Sequence, residues 1–163
     1  MDKRDFTKEE VLLLNRSIEG VRVMGIVFMV IAVVIILIGV YLMLITTPIA
    51  AFVLFAISLI FLIPGLLQFL FVRRIKADLI NNTAVIKPCH VTNKHYIILG
   101  RSAKVLSHFI SFNGKKTEYG VDKEIYDKLE NGTECMVAFA PLSQTLLAMS
   151  IDSGEWITMR SGS

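Results

Sequence analysis

The chain's most informative feature is an absence. From Val23 to Val72 there is no Asp, Glu, Lys, Arg or His, so all 17 Lys and Arg and all 14 Asp and Glu crowd into the other 113 residues. A soluble domain of this size exposes most of its helix surface and scatters charge along it. The gap therefore excludes an ordinary soluble globule. Cysteine is scarce, with only Cys89 and Cys135, which excludes a disulfide-dense secreted scaffold. Ten Gly and four Pro without a period exclude collagen-like and low-complexity chains. There is no Gly-rich phosphate loop, no Walker lysine, no HExxH pair and no nucleophile elbow. What is present is 54% hydrophobic residues beside 19% charged ones in separate blocks. That composition describes a small membrane protein with a compact water-facing part.

A single helix of 50 residues would be about 75 Å long, whereas a hydrocarbon core is about 30 Å thick and takes roughly 20 residues per crossing. The block is therefore read as a two-helix hairpin over 23–72, with spans at about 23–45 and 49–72. Thr46-Thr47-Pro48 is the turn, since Pro suits a first helical turn and Thr47 can cap it. Arg16 and Arg22 precede the first span, and a basic collar of Arg73, Arg74 and Lys76 follows the second; the turn carries no charge. By the positive-inside rule both termini lie in the cytoplasm of a multi-pass cell-membrane protein. Cys89 and Cys135 then sit in a reducing compartment and are expected to stay unpaired. The sequons at Asn15, Asn81 and Asn131 are likewise expected to stay bare. The spans hold no ionisable group and no GxxxG pair, so neither a polar transport path nor close homodimer packing is signalled. Pro64-Gly65 is expected to bend the second helix, and Gln68 is the one amide within it.

Residues 1–22 form a cytoplasmic amphipathic arm. Thr7 and Glu10 have the spacing of a capping box, with Glu10 reaching back to the Thr7 amide. Val11, Leu14, Ile18 and Val21 then share one helical face. The arm is expected either on the inner membrane surface or against the cytoplasmic domain, with Gly20 letting the chain turn inward.

After a collar and linker at 73–82, residues 83–160 change to short β-rich runs at 83–91, 104–112, 115–121, 133–140, 145–151 and 155–159. Asn113-Gly114 has the chemistry of a type I′ hairpin turn. Asp122 to Leu129 reads as a short helix ended before Gly132, with Ile125 and Leu129 facing the core. Three strands, a helix and two strands are the order of an OB-like barrel, a closed sheet with its helix at one end. SH3-like and pleckstrin-like barrels are the runners-up.

The stretch Tyr126-Asp127-Lys128-Leu129-Glu130-Asn131-Gly132-Thr133-Glu134-Cys135-Met136-Val137-Ala138-Phe139-Ala140-Pro141 combines a helix end, a Gly turn, an alternating strand and a closing Pro. Behind a two-helix hairpin, it resembles uncharacterised bacterial membrane proteins with a small NfeD-like barrel. That resemblance implies an accessory role beside membrane-scaffold proteins of the stomatin kind, and no catalytic residue.

Metal-ligand types cluster at Cys89, His90 and His95, with His108 further on. Neighbours on a strand point to opposite faces, so a converging set is hard to assemble, and satisfied or surface histidines are expected instead. His108 alternates with Leu106, Ile110 and Phe112 and is expected to be half-buried. Ser107-His108 and Ser143 with Asp152 suggest hydrolysis only by residue type, and no enzyme is expected. Lys94, Tyr96, Arg101, Lys104, Lys115 and Lys116 have the types that bind single strands. With 12 basic and 9 acidic residues over 73–163, however, no nucleic-acid footprint is present. The resulting expectation is a non-enzymatic, membrane-anchored adaptor without cofactor. Its partners would be the lipid bilayer and a protein subunit or a second copy; a ligand or metal sensor and a lipid-surface module are the alternatives.

Overall fold

A computed structural model describes residues 2–45, 48–99, 104–151 and 154–159. Thr46 and Thr47 of the expected turn, together with Arg101 and Asp152, lie outside the described residues. Two compact units emerge, one made of 16–77 and one of 1–15 with 78–163.

The first unit contains most of two helices, α1 (Lys8–Ile45) and α2 (Pro48–Asn81), both long and apolar enough to cross a membrane. Pro48 opens α2 as expected. Gly20 does not break α1, and residues 73–81 remain helical rather than forming a linker. A single exposed Gly costs a helix about 1 kcal/mol, less than opening the hydrogen-bond ladder on both sides of it. The second helix likewise continues through Pro64.

The hairpin packs through small residues seven apart. Gly25, Ala32 and Gly39 of α1 are buried, as are Ala51, Ser58 and Gly65 of α2, in a unit whose larger side chains are mostly exposed. A period of seven is the repeat that keeps two helices in register along a left-handed seam. A methyl added at Gly39 would meet Leu54 Cβ at 3.5 Å, and one at Gly25 would meet Gln68 Cβ at 3.5 Å. One at Gly65 would come within 3.1 Å of Met29 Cγ. Ser58 satisfies its hydroxyl within its own helix by donating to the Phe55 carbonyl at 2.7 Å. Gln68 Oε1 is buried without a partner among the described residues.

The second unit is a small antiparallel half-barrel, β1 (Asp2–Asp5), β2 (Thr83–Leu99), β3 (Lys104–Phe112), β4 (Glu118–Val121), β5 (Glu134–Phe139), β6 (Leu146–Ile151) and β7 (Trp156–Thr158), with α3 (Lys123–Lys128) between β4 and β5. The hydrogen-bonded order is β4-β3-β2-β5-β6-β7, and β1 also pairs with β2. The expected barrel is therefore open, with four-residue β4 and three-residue β7 as its edges. Phe112, Tyr119 and Phe139 group between β3, β4 and β5 at centroid distances of 5.5 to 6.5 Å.

Several local expectations are met. Asn113 and Gly114 both have positive φ, 53° and 67°, and Lys115 N donates to Phe112 O at 3.0 Å, as a I′ turn requires. Asn113 also accepts from the His90 amide at 2.9 Å through its side chain, which binds the turn to β2. β4 starts at Glu118, later than expected, because Ser111 pairs with Glu118 and leaves 115–117 as an unpaired insert. Ile125 and Leu129 are buried, and Gly132 adopts φ 93°.

Candidate functional site

The chemistry-bearing residues of β2 and β5 are placed by their antiparallel register. Cys89 pairs with Cys135, His90 with Glu134, and Pro88 with Met136. Direct partners share a face and successive residues alternate. Pro88, His90, Glu134 and Met136 thus lie on one face, joined by Ser150, the β6 partner of Met136. These five and the strands at Cys89 and Cys135 line a cleft of about 460 Å³. His90 and Glu134 are exposed at its mouth, and Ser150 is buried with its hydroxyl donating to Gly154 O at 2.8 Å.

Cys89 and Cys135 share the opposite face, both buried and both free thiols. The Cys135 thiol donates to the Cys89 carbonyl at 3.5 Å. Burial pushes the Cys135 thiol up to about 12, with Cys89 adding to the shift. Burial also raises Cys89, partly offset by Asn113 and by the nearby Lys115 and Lys87. Tyr119 is raised by burial first and by Cys89 second. A thiol held protonated in this way is a poor nucleophile and a poor metal ligand.

The metal candidates are not brought together. Cys89 and His90 take opposite faces. His95 stacks on Phe109 at 5.4 Å and lies 3.5 Å from the Glu118 carboxylate. Among the described residues no group of three His, Cys, Asp or Glu is positioned to hold a metal ion. His108 is half-buried, as expected, with its ring 4.8 Å from that of Tyr126. Lys94 also joins this cluster, 4.3 Å from the Tyr126 ring, and donates to the Leu129 carbonyl. Of the hydrolase candidates, Ser143 shares a hydrogen bond with Thr145 at 2.9 Å, His108 lies against Tyr126, and Asp152 is outside the described residues.

Asp78, and the Arg4 contact to Glu10, form polar clamps that were not expected from the sequence. Asp78, fully buried, accepts from Leu142 N at 2.8 Å and Ser143 N at 2.7 Å, one bond per carboxylate oxygen. It fixes the last turn of α2 to the β5–β6 connection. Asn82 ends that helix with φ 47°, its amide donating to Asp78 O at 2.9 Å. At the other end, the Thr7–Glu10 capping box forms as expected: Thr7 N donates to Glu10 Oε2 at 2.8 Å and Glu10 N to Thr7 Oγ1 at 3.3 Å. Arg4 adds a bidentate pair to the buried Glu10 at 2.8 and 2.5 Å, and its guanidinium lies 5.2 Å from the Trp156 ring centroid. β1 is thereby locked to the start of α1 and to β7. The collar residues Arg22, Arg73, Arg74 and Lys76 are all exposed.

No family model, no curated protein and no solved structure matches the chain.

Proposed function

We propose that this protein is a membrane-anchored accessory subunit that crosses the cytoplasmic membrane twice and holds a small OB-type domain at the inner face for a protein partner. The observation that carries the reading is the pairing of β1 with β2, Asp2 to Ile86 through Asp5 to Thr83. Residues on both flanks of the hairpin belong to one folded sheet, so they share one side of any membrane, and an even number of crossings follows. Exposed Arg16, Arg22, Arg73, Arg74 and Lys76 favour the cytoplasmic side. The strand order β4-β3-β2-β5-β6, with α3 between β4 and β5, supports the OB-type reading of the half-barrel. An accessory role fits a domain in which Glu10, Asp78, Lys94 and His95 are taken up by structural contacts.

Native-membrane extraction in mild detergent tests the role. A defined protein in stoichiometric amount is the expected result; a lone monomer overturns it. Cysteine-accessibility labelling at Lys3→Cys and Lys116→Cys tests the topology, and both positions should react only from the cytoplasmic side. A second reading, a small-ligand sensor, is favoured by the cleft beside His90 and Glu134. Stability indifferent to zinc and chelator would leave that reading without its metal form.

A further inference from the structure

The β2–β3 ribbon has a free end. β2 pairs with β5 only as far as His90, and β3 pairs with β4 only from His108 onward. Beyond those points Ile97 pairs with Ser107 and Ile98 with Val105, with no third strand on either side among the described residues. Three consecutive residues there are open to solvent: Tyr96 is 51% exposed, Ile97 48% and Ile98 47%. Successive residues on a strand face opposite ways, so both faces of the ribbon present apolar groups. A soluble domain this small does not normally leave such an end bare.

Charge along the unit is just as uneven. Between Asp78 and Glu118 the sequence has six Lys and Arg and not one Asp or Glu. Arg101 and Lys104 follow Ile98 closely in sequence, whereas Lys94 is held by Tyr126 and Leu129, and Lys115 and Lys116 flank the turn at the ribbon's other end. From Glu118 to the end it has eight acids, the first Glu118 and the last Glu155, against Lys123, Lys128 and Arg160. The segment that exposes Tyr and Ile is therefore also the one that has shed every acidic group. An aromatic and two aliphatics within a purely basic segment have the composition of an element at the headgroup level of an anionic leaflet. A protein groove would supply apolar contact without selecting for the missing acids.

We infer that the ribbon end at Tyr96, Ile97 and Ile98 contacts an anionic phospholipid surface, giving the domain a second attachment to the bilayer besides its helices. This rests on the membrane reading above. The shallow insertion of a ribbon adds to, and does not replace, the hairpin anchor.

The test uses the full chain, one copy per lipid nanodisc, with Cys89 and Cys135 replaced by Ala and an environment-sensitive dye at Ile97→Cys, Lys116→Cys or Leu37→Cys. Discs contain phosphatidylcholine alone or with phosphatidylglycerol, with or without nitroxide-labelled lipid. The dye at 97 should shift to the blue and lose emission to the nitroxide in anionic discs, more weakly at high salt; at 116 it should stay water-like. Emission at 97 that is water-like in every disc overturns the inference. So does shielding that appears only with two copies per disc, which assigns the ribbon to a second copy. Leu37 separates the two levels. Quenching at 37 without quenching at 97 sinks this inference alone, whereas no quenching at 37 sinks the membrane reading beneath it.

Discussion

The two units of this chain hold themselves together by opposite means. In the hairpin, register comes from size: Gly25, Ala32 and Gly39 lie buried opposite a like series, Ala51, Ser58 and Gly65, and charge is absent. In the sheet unit, register comes from directed polar contacts at its margins, Asp78 to the 142–143 amides and Arg4 with Thr7 to Glu10. With the hairpin in a bilayer, as proposed above, the solvent explains the difference. Apolar helices gain nothing from hydrophobicity inside a lipid phase, so close approach and dispersion must select the partner. In water, burying apolar area is favourable almost regardless of arrangement, and buried charge that tolerates only one arrangement supplies the specificity.

If that contrast holds, deleting charge should damage the sheet unit most. Asp78→Ala removes two charge-assisted hydrogen bonds and leaves two amides without their acceptor, a loss of about 3–6 kcal/mol, at roughly 1.5–3 kcal/mol each. Chemical unfolding followed by Trp156 fluorescence should show it, with the hairpin's helical signal unchanged. Glu10→Ala loses the capping box and strands Arg4, and should cost about 2–4 kcal/mol. It should also release Arg4 from Trp156 and alter that emission before global unfolding. A Trp156 spectrum identical to that of the parent would break the assignment of β1.

Bulk, not charge, should damage the hairpin. Gly65→Leu drives a side chain into Met29, whose Cγ lies only 3.1 Å from where the first added carbon would sit. The cost should be about 1–3 kcal/mol. Helix-pair cross-linking in detergent should weaken while Trp156 stays unchanged. The thiols sharpen the comparison through pH. Cys135 is raised from 9.0 to about 12 in the folded state, so below pH 9.0 both states are protonated and its contribution is fully present. As pH rises from 9.0 toward 12 the unfolded chain loses a proton the folded one keeps, and stability falls. Melting temperature should drop over that window, and drop less in Cys135→Ala. The smallest loss is expected for Gly39→Ala, whose new methyl meets neighbours at ordinary contact distance, 3.5 Å, and which gains up to about 1 kcal/mol of helix propensity. A loss of stability beyond about 0.5 kcal/mol would undo the size rule.

Legibility in the sequence followed the range of the interaction. The Thr7–Glu10 box, the Asn113-Gly114 turn and α3 are fixed by residues within a few positions of one another, and all were readable. β1 was not: Asp-Lys-Arg-Asp has no strand propensity, and it is held by residues near 83–86, by Glu10 and by Trp156. β2 runs to Leu99 through an irregularity between Val91 and Asn93 that interrupts the alternation a strand is read from. The hairpin seam was written openly, at intervals of seven, but a search for GxxxG looks at intervals of four. Asp78 carries no local signal, and only its long-range partners, 64 and 65 positions away, give it meaning. At the candidate site, the register that separates Cys89 from His90 followed from strand alternation. The cleft formed with Met136 and Ser150 depended on which strands become neighbours.

The early position of β1 has a consequence for synthesis. It is made before both helices, yet Thr83, the nearest of its partners, follows 78 residues after Asp5. At roughly 5–20 residues per second that is a wait of about 4–16 s, during which both helices of the hairpin are made. β1 thus waits unpaired until the hairpin behind it is complete, and a bulky group fused just ahead of Asp2 would interfere with its pairing to β2.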